Sequence, residues 1–470
     1  MAEKATKEPS FEEQTVEDAT SGEQGPEWTE APLPEKAKSP EHWAKQFNLN
    51  YIGIFLEIAI DSKNNIFVAA SFKGTAKLGN VTFTSKSTEY DMFVGKIDSR
   101  GNWLWIKQIH ATKVWIGKLT VDQNDDLLLT GYFSGTVKLG STTLTSDDQH
   151  AFYISKLHSS GKWLWARGIS ATKFTLGNSI HVRGNKGILF TGRFKGESKI
   201  KGKVYQSGPA GSLLVAALTH SGEWSWLRFV HLEQYSYIHD SVIQDDKVTI
   251  LGYFQGKLSF GKSSLQAQKM STFISRIDSQ GNWLWAKDLK TVENSPCHYK
   301  GLAQTKDGAV LLTGAFNKQA NFGKTTLRTN HFHSNIFVAK MDANGHWLWA
   351  KHIPSSETGY GTHLTSTPTG AFFLTGSFLG KVFFGKTILH NTTGPSDIFI
   401  AKFSQNGTPI SAKRMGSDGI DEGDRIVVDK NGNVIVGGYF EGKINFEGTV
   451  LQNEPLHRRS RFLWKTSLSK

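Results

Sequence analysis

Apolar and polar residues alternate in short runs along most of this chain, and the helical period is nowhere sustained. Residues 113–169 show the pattern. IGKLTVD (116–122) alternates and ends in an Asp turn, and DLLLTGYF (126–133) follows after a tight hairpin. AFYISKL (151–157) and WLWARGI (163–169) flank the turn Ser159-Ser160-Gly161-Lys162. Runs of this length, rich in β-branched and aromatic residues and bounded by Gly, Asp and Ser, predict strands. We name them A, B, C and D in chain order. The B–C link, SGTVKLGSTTLTSDDQH, contains further small strand-like pieces.

The unit repeats. GYFSG (131–135) recurs as SFKG, GRFKG, GYFQG, GAFNK, GSFLG and GYFEG, and the aligned Phe72, Phe133, Phe194, Phe254, Phe316, Phe378 and Phe440 are 60–62 residues apart. A W-x-W pair opens five D strands: Trp103/Trp105, Trp163/Trp165, Trp224/Trp226, Trp283/Trp285 and Trp347/Trp349. The sixth copy reads Pro409-Ile410-Ser411-Ala412-Lys413 instead. Seven tandem four-stranded units predict an all-β fold, a seven-bladed β-propeller, in which radial packing leaves few free strand edges. The blades are expected at approximately 52–109, 113–169, 174–230, 235–290, 298–353, 359–414 and 420–470. The last copy stops after its C strand, RFLWKTSLSK, while HWAKQFN (42–48) matches a D strand with no A, B or C before it. Residues 42–48 are therefore expected to complete the last blade and lock the ring. Two tryptophans two residues apart are expected on one strand face, as plates between neighbouring blades.

The repeats resemble a family of bacterial β-propeller repeat proteins marked by I-x-VD-x-x-GNV-x-VTG followed by D-x-FVAKLD-x-x-G. The matching segments are IVVDKNGNVIVGGYF (426–440), DIFIAKF (397–403) and NIFVAKM (335–341), and the resemblance covers about 42–470. It implies a propeller used for interaction rather than one fixed activity, with no catalytic residues to carry over. Many of that family are secreted or surface proteins, whereas this chain shows no export signal. The W-x-W strand is also similar to the tryptophan-docked blades of quinoprotein-type propellers, without a sign of their cofactor or metal site.

Charge changes the picture at the N-terminus. Residues 1–40 hold ten Asp/Glu, four Lys and five of the twelve prolines, whereas the remainder carries 50 Lys+Arg against 32 Asp+Glu. So acidic and weakly apolar a segment cannot offset its chain entropy, so 1–40 is expected to be a disordered tail on a 41–470 propeller. It serves either as a solubilising tail or as an arm docking on the basic domain or a partner. The opening MAEKATKEPSFEEQ has no apolar h-region, and the most apolar run, IGIFLEIAI, is too short to span a membrane. With one Cys and no disulfide available, these features predict an intracellular, cytoplasmic protein; a virion or inclusion component of an intracellular virus fits equally.

No nucleophile elbow, zinc-protease motif, P-loop or dinucleotide fingerprint occurs, so no catalytic, cofactor or metal residues are assigned. Asp122 to Asp126 and Asp429 to Asn433 superficially resemble calcium loops but read as Asx turns. The His331/His333 pair and Cys297 beside His298 read as loop and packing. The connections into the A strands are more informative, because they open around the central channel. They carry Tyr51, Trp115, Phe174, Tyr235, Tyr237, Tyr299 and Tyr360, while the last blade has Asp421, Glu422 and Asp424. These rings either wedge the blades apart or form an aromatic funnel for a ligand. Lys113, Lys173, Arg458, Arg459 and Arg461 are candidate anion contacts in loops. Strand C repeats a cation at Lys96, Lys156, Arg276, Lys340, Lys402 and Lys465, which points to a role in the fold. The resulting expectation is a non-enzymatic interaction scaffold whose partner is a protein, with an acidic one as the candidate. A carbohydrate-binding propeller and a nucleic-acid-associated basic propeller are the alternatives.

Overall fold

The computed structural model describes residues 42–51, 56–86, 89–290, 297–330, 332–391, 394–453 and 459–468. The 1–40 tail and Arg458 lie outside these residues. The described chain contains no α-helix, only one 3-10 turn at Gly184–Lys186. Its strands form seven four-stranded antiparallel sheets, each in the order A-B-C-D. In the second, these are Lys113–Val121, Leu127–Leu139, Thr142–Leu157 and Trp163–Ile169. The A strands, from Leu56–Ile60 in the first sheet to Glu422–Val428 in the last, pack side by side in a closed circle. This is a β-propeller with the A strands around the axis. The strand-like pieces of the B–C link form a second, outlying ladder, such as Glu197–Ile200 with Lys203–Gln206.

The ring closes through its N-terminal strand. Trp43–Tyr51 lies antiparallel to Ser460–Thr466, with Trp43 opposite Lys465 and Phe47 opposite Arg461. The strand then runs on past the expected 42–48. Asn48 and Leu49 pair with Lys77 and Ala76, at the outer end of the first blade's B strand. One strand thus staples the last blade to the first.

The tryptophan arrangement differs from the expectation of a shared face. In each W-x-W strand the pairing shifts between the two indoles: Trp163 lies opposite Leu157, but Trp165 lies opposite Lys156. This β-bulge places the two rings against neighbouring residues of strand C, which face opposite ways. The first indole packs in the layer shared with the preceding blade and the second in the layer shared with the following one. The cluster between blades two and three accordingly contains Trp165 of one and Trp224 of the other. The residue between them is pushed outward, leaving Leu104, Leu164, Leu284 and Leu348 exposed.

The second indole also makes a directional contact. Its N–H donates to a carbonyl in the next blade's C–D turn: Trp105 to Ser159 (3.1 Å), Trp165 to His220 (3.0 Å), Trp226 to Ser279 (2.9 Å) and Trp285 to Ala343 (2.9 Å). Trp43 makes the equivalent bond to Ser99 across the closure, at 3.2 Å. In the sixth blade, where no tryptophan remains, the Ser411 hydroxyl donates to Leu468 in its place. The indole plane lies against the turn glycine. Gly161 has φ 89°, and a Cβ there would sit 3.0 Å from the Trp105 ring, so the site excludes a side chain on both grounds.

Four of the six strand-C cations are ion-paired within their blade, while Arg276 donates to the Gly308 and Ala343 carbonyls of the next blade and Lys402 lies over Phe373. Lys96 pairs with Asp61 at 2.9 Å, Lys156 with Asp122 at 2.8 Å, Lys340 with Asp307 at 2.8 Å and Lys465 with Asp429 at 3.2 Å. Each ties strand C to the A–B hairpin of its own blade. The hairpin aspartates also cap their own turns: Asp122 accepts from the Asn124 and Asp126 amides, and Asp429 from those of Asn431 and Asn433. These are Asx turns.

Two predictions follow from the closure and the clasp. A chain beginning at residue 49 exposes the edge of Ser460–Thr466, and should melt far below a chain beginning at residue 41 or aggregate; equal melting temperatures would rule out closure by this strand. Trp165→Ala removes a large half-buried ring and its hydrogen bond, and should cost about 3 kcal/mol in denaturant unfolding.

Candidate functional site: the central channel

The A strands share a second irregularity. Their pairing with strand B slips by one residue between Ile116 and Lys118, Gly177 and Ser179, Ile238 and Asp240, Tyr299 and Gly301, Gly361 and His363, and Gly423 and Arg425. The extra residues are Gly117, Asn178, His239, Lys300, Thr362 and Asp424. A bulge re-aims side chains, and here it turns two consecutive positions towards the axis. Gly117 with Lys118, His239 with Asp240, and Asp424 with Arg425 all line one cavity of about 420 Å³.

Charged groups in the cavity are largely cross-paired. The Lys118 ammonium reaches from blade two to the Asp240 carboxylate of blade four, at 2.6 Å. The small Gly177 and Ser179 of blade three line the cavity between them. Asp240 also accepts from the Ser241 amide (2.9 Å) and, in blade five, from the Leu302 amide (3.1 Å). Arg425 donates through Nε to Glu57 across the ring closure at 2.8 Å, and Glu57 is 2 % exposed. Burial alone would raise Asp240, but the Lys118 ammonium, through its charge and its hydrogen bond, holds it well below the usual carboxylate range. Burial would likewise lower Arg425, yet Glu57 holds it above its ordinary value. His363 is pushed down to about 3 by burial and by the Arg425 charge, and its Nδ1 faces the Ile426 amide at 3.4 Å. His181, bonded to Ser241, is lowered to about 3, chiefly by burial.

The sequence-expected aromatic mouth divides into parts. Trp115 and Tyr237 line the cavity, joined by Tyr132, a strand-B residue not foreseen. Trp115 stacks nearly parallel to Tyr132 (centroids 6.0 Å) and meets Tyr90 edge-on at 4.9 Å; Tyr237 stacks on Tyr253 at 5.3 Å. Phe174 and Tyr235 instead clamp the guanidinium of Arg193, at 5.4 and 5.1 Å. Tyr360 is half-exposed and does not line the cavity. Tyr299 is a correction: it is 1 % exposed and packed edge-on against Phe322 and Phe337, so it belongs to the core. The Tyr51 side chain lies outside the described residues.

The anion candidates change too. Arg461 is not a loop residue; it sits in strand C of the last blade, 4 % exposed, and is paired with Asp424. Arg459 lies over Tyr439 at 4.7 Å and pairs with Glu441 at 2.7 Å. Neither charge is free for a partner. Lys113 lies over Trp115 at 5.9 Å, and Lys173 is exposed. In the last blade's entry loop Asp421 is fully buried, held by Ser417, and pushed up to about 7 by burial. The Cys297 thiol is buried and pushed up to about 12, which removes the thiolate a nucleophile needs. Among the described residues no group of three His, Cys, Asp or Glu is placed to hold a metal, and no helix is long and apolar enough to cross a membrane.

Four polar pairs were visible in the sequence, at one register: Asn178-Ser179, His239-Asp240, Thr362-His363 and Asp424-Arg425, with Gly117-Lys118 and Lys300-Gly301 at the same place in two further blades. Two adjacent polar residues break strand alternation. Their recurrence inside the innermost strand was the signal for a bulge.

No family model matches the chain. An uncharacterized WD repeat-containing protein of Acanthamoeba polyphaga mimivirus is 20% identical over 457 residues, covering 86% of this chain and 31% of that protein. The chain thus spans about a third of the length of the curated relative it matches. Among solved structures, the WD40 domain of Neurospora crassa Pan2 is similar with a TM-score of 0.44 and 12% identity, covering 93% of this chain and 98% of that one. A Penicillium chrysogenum α-L-arabinanase complexed with arabinobiose gives a TM-score of 0.44 and 9% identity, over 92% and 99% of the two chains. At such identities the likeness is one of fold alone.

The buried histidines set a pH dependence. Each has a folded pKa of about 3 against an ordinary 6.5, so the unfolded chain takes up the proton first. Stability is full above pH 6.5 and falls as pH drops towards 3. His363→Gln should reduce this slope by up to about 1.4 kcal/mol per pH unit, measured by denaturant unfolding at a series of pH values.

Proposed function

We propose that this chain is a non-enzymatic interaction propeller that holds an acidic protein partner on its outer rim. The observation that carries the reading is the repeated surface of the D strands. In five of the blades the bulge presents a large aliphatic side chain, Leu104, Leu164, Leu284, Leu348 or Ile410, at 40–54 % exposure, and in blade three it presents Ser225. Three residues further on, the same strands carry Lys107, Arg167, Lys287, Lys351 and Lys413, of which Arg167 is paired with Glu223 and Lys413 with Glu447. Repeated aliphatic groups in water beside cations suit a partner that offers apolar and acidic residues together. The channel supports the same reading. Asp240 and Asp424 in its wall, and Glu57 behind it, are each engaged by a cation, which leaves them poorly suited to proton transfer; Glu422 accepts instead from the Tyr439 hydroxyl at 2.8 Å and is raised by burial. The mimivirus relative supports an intracellular setting, virion or inclusion included.

The test is affinity capture from the native host with the intact chain and with a rim variant, Leu104→Ser/Leu164→Ser/Leu348→Ser. The expected result is a set of proteins retained by the wild type, lost by the rim variant and released above about 0.5 M salt as charge screening shortens. Retention by the rim variant would overturn the rim as the docking surface. Loss on nuclease treatment would assign the basic girdle to nucleic acid instead.

A further inference from the structure

The channel cavity is a surface separate from the rim, and its chemistry points elsewhere. At about 420 Å³ it has the size of a small-molecule site. Its wall is divided. Blades two and four contribute Trp115, Tyr132 and Tyr237 together with the charged Lys118 and Asp240; blades five and seven contribute Lys300, Glu422, Asp424 and Arg425. Most of those charges are already matched, Lys118 by Asp240 and Arg425 by Glu57. Glu422 has no ion-pair partner among the described residues; it accepts from the Tyr439 hydroxyl at 2.8 Å, and burial raises it against the pull of the Lys300 charge. Among the cations of the cavity, Lys300 is the exception. It is the extra residue of its bulge, it is exposed, it lines the cavity, and its ammonium has no ion-pair partner among the described residues. Hydrogen-bonding groups flank it. His239 contacts the Lys300 carbonyl through Nε2 at 2.9 Å, and Asn178 donates its amide to Ile238, leaving its side-chain oxygen to accept.

We propose that the cavity binds a polyhydroxylated ring carrying one anionic group, a uronic acid or a phosphorylated sugar. Lys300 grips the anion, the half-buried rings of Tyr132 and Tyr237, the first backed by the buried Trp115, take the apolar face of the ring, and Asn178 and His239 meet its hydroxyls. An unmatched ammonium beside aromatic rings selects for such a ligand over a neutral sugar, because the charge-assisted bond is the strongest contact available. It also selects over a bare anion, which would leave the aromatic wall unused.

The test is calorimetric titration of the full chain with glucuronate, glucose 6-phosphate, glucose and inorganic phosphate, each up to millimolar concentration. One of the two anionic sugars is expected to bind, and which of them does so identifies the anion. Glucose and inorganic phosphate are each expected to bind about tenfold more weakly or worse. Lys300→Gln should weaken the anionic sugar at least about tenfold, while Lys300→Arg and the exposed hairpin variant Lys306→Gln retain it. Tyr237→Ala should weaken it without restoring binding of inorganic phosphate. Melting curves of the variants check that each is folded, and Lys300→Arg keeps the test decisive if Lys300→Gln is not. Failure of both anionic sugars to bind, wild-type affinity in Lys300→Gln, or equal binding of inorganic phosphate alone would overturn the proposal. None of these outcomes bears on the rim.

Discussion

At five of the seven seams the ring is held by an indole N–H that one blade hands to its neighbour. The second tryptophan of a D strand donates to a carbonyl in the next blade's C–D turn and lies flat on that turn's glycine. A buried ring that also needs a hydrogen-bond partner fixes both distance and orientation, which non-directional apolar packing alone does not. Trp43 makes the same bond to Ser99, so the contact that joins consecutive blades also closes the circle. In the sixth blade the Ser411 hydroxyl donates to the Leu468 carbonyl at 3.3 Å from the corresponding place in the strand.

Two sets of bulges divide the labour of the fold. Those in the D strands send one indole to each interblade layer and leave an aliphatic side chain in water. Those in the A strands turn pairs of polar residues into the channel. Charges so placed lose much of their hydration and persist only when matched. The bridge from Lys118 to Asp240 crosses from blade two to blade four, and the pair Arg425–Glu57 spans the seam between last blade and first. The channel is therefore a set of cross-links as well as a cavity.

The strands, the repeat and the closure were legible in the sequence, because apolar alternation and a period near 61 residues are local or additive signals. The strand-C cations were legible as fold residues for the same reason, since they recur with the unit. The shared face of the tryptophans was misread, because spacing by two implies one face only when pairing is regular. Tyr299 was misread as mouth because chain position places it beside the channel, whereas its ring turns back onto Phe322 and Phe337.

By itself the sequence determined how many times the unit repeats, where each strand falls and which segment completes the last blade. These follow from the period of burial along the chain and need no knowledge of partners in space. Only the tertiary structure decided which charges are free. Lys118 and Asp240 are 122 residues apart, and Arg425 and Glu57 are 368 apart. Arg461 meets Asp424 across the width of a blade, while Lys300, an ordinary lysine in the sequence, is left unmatched in the cavity. A charge is spent or available according to what faces it across the ring, and that is set by the closure of seven blades around one axis.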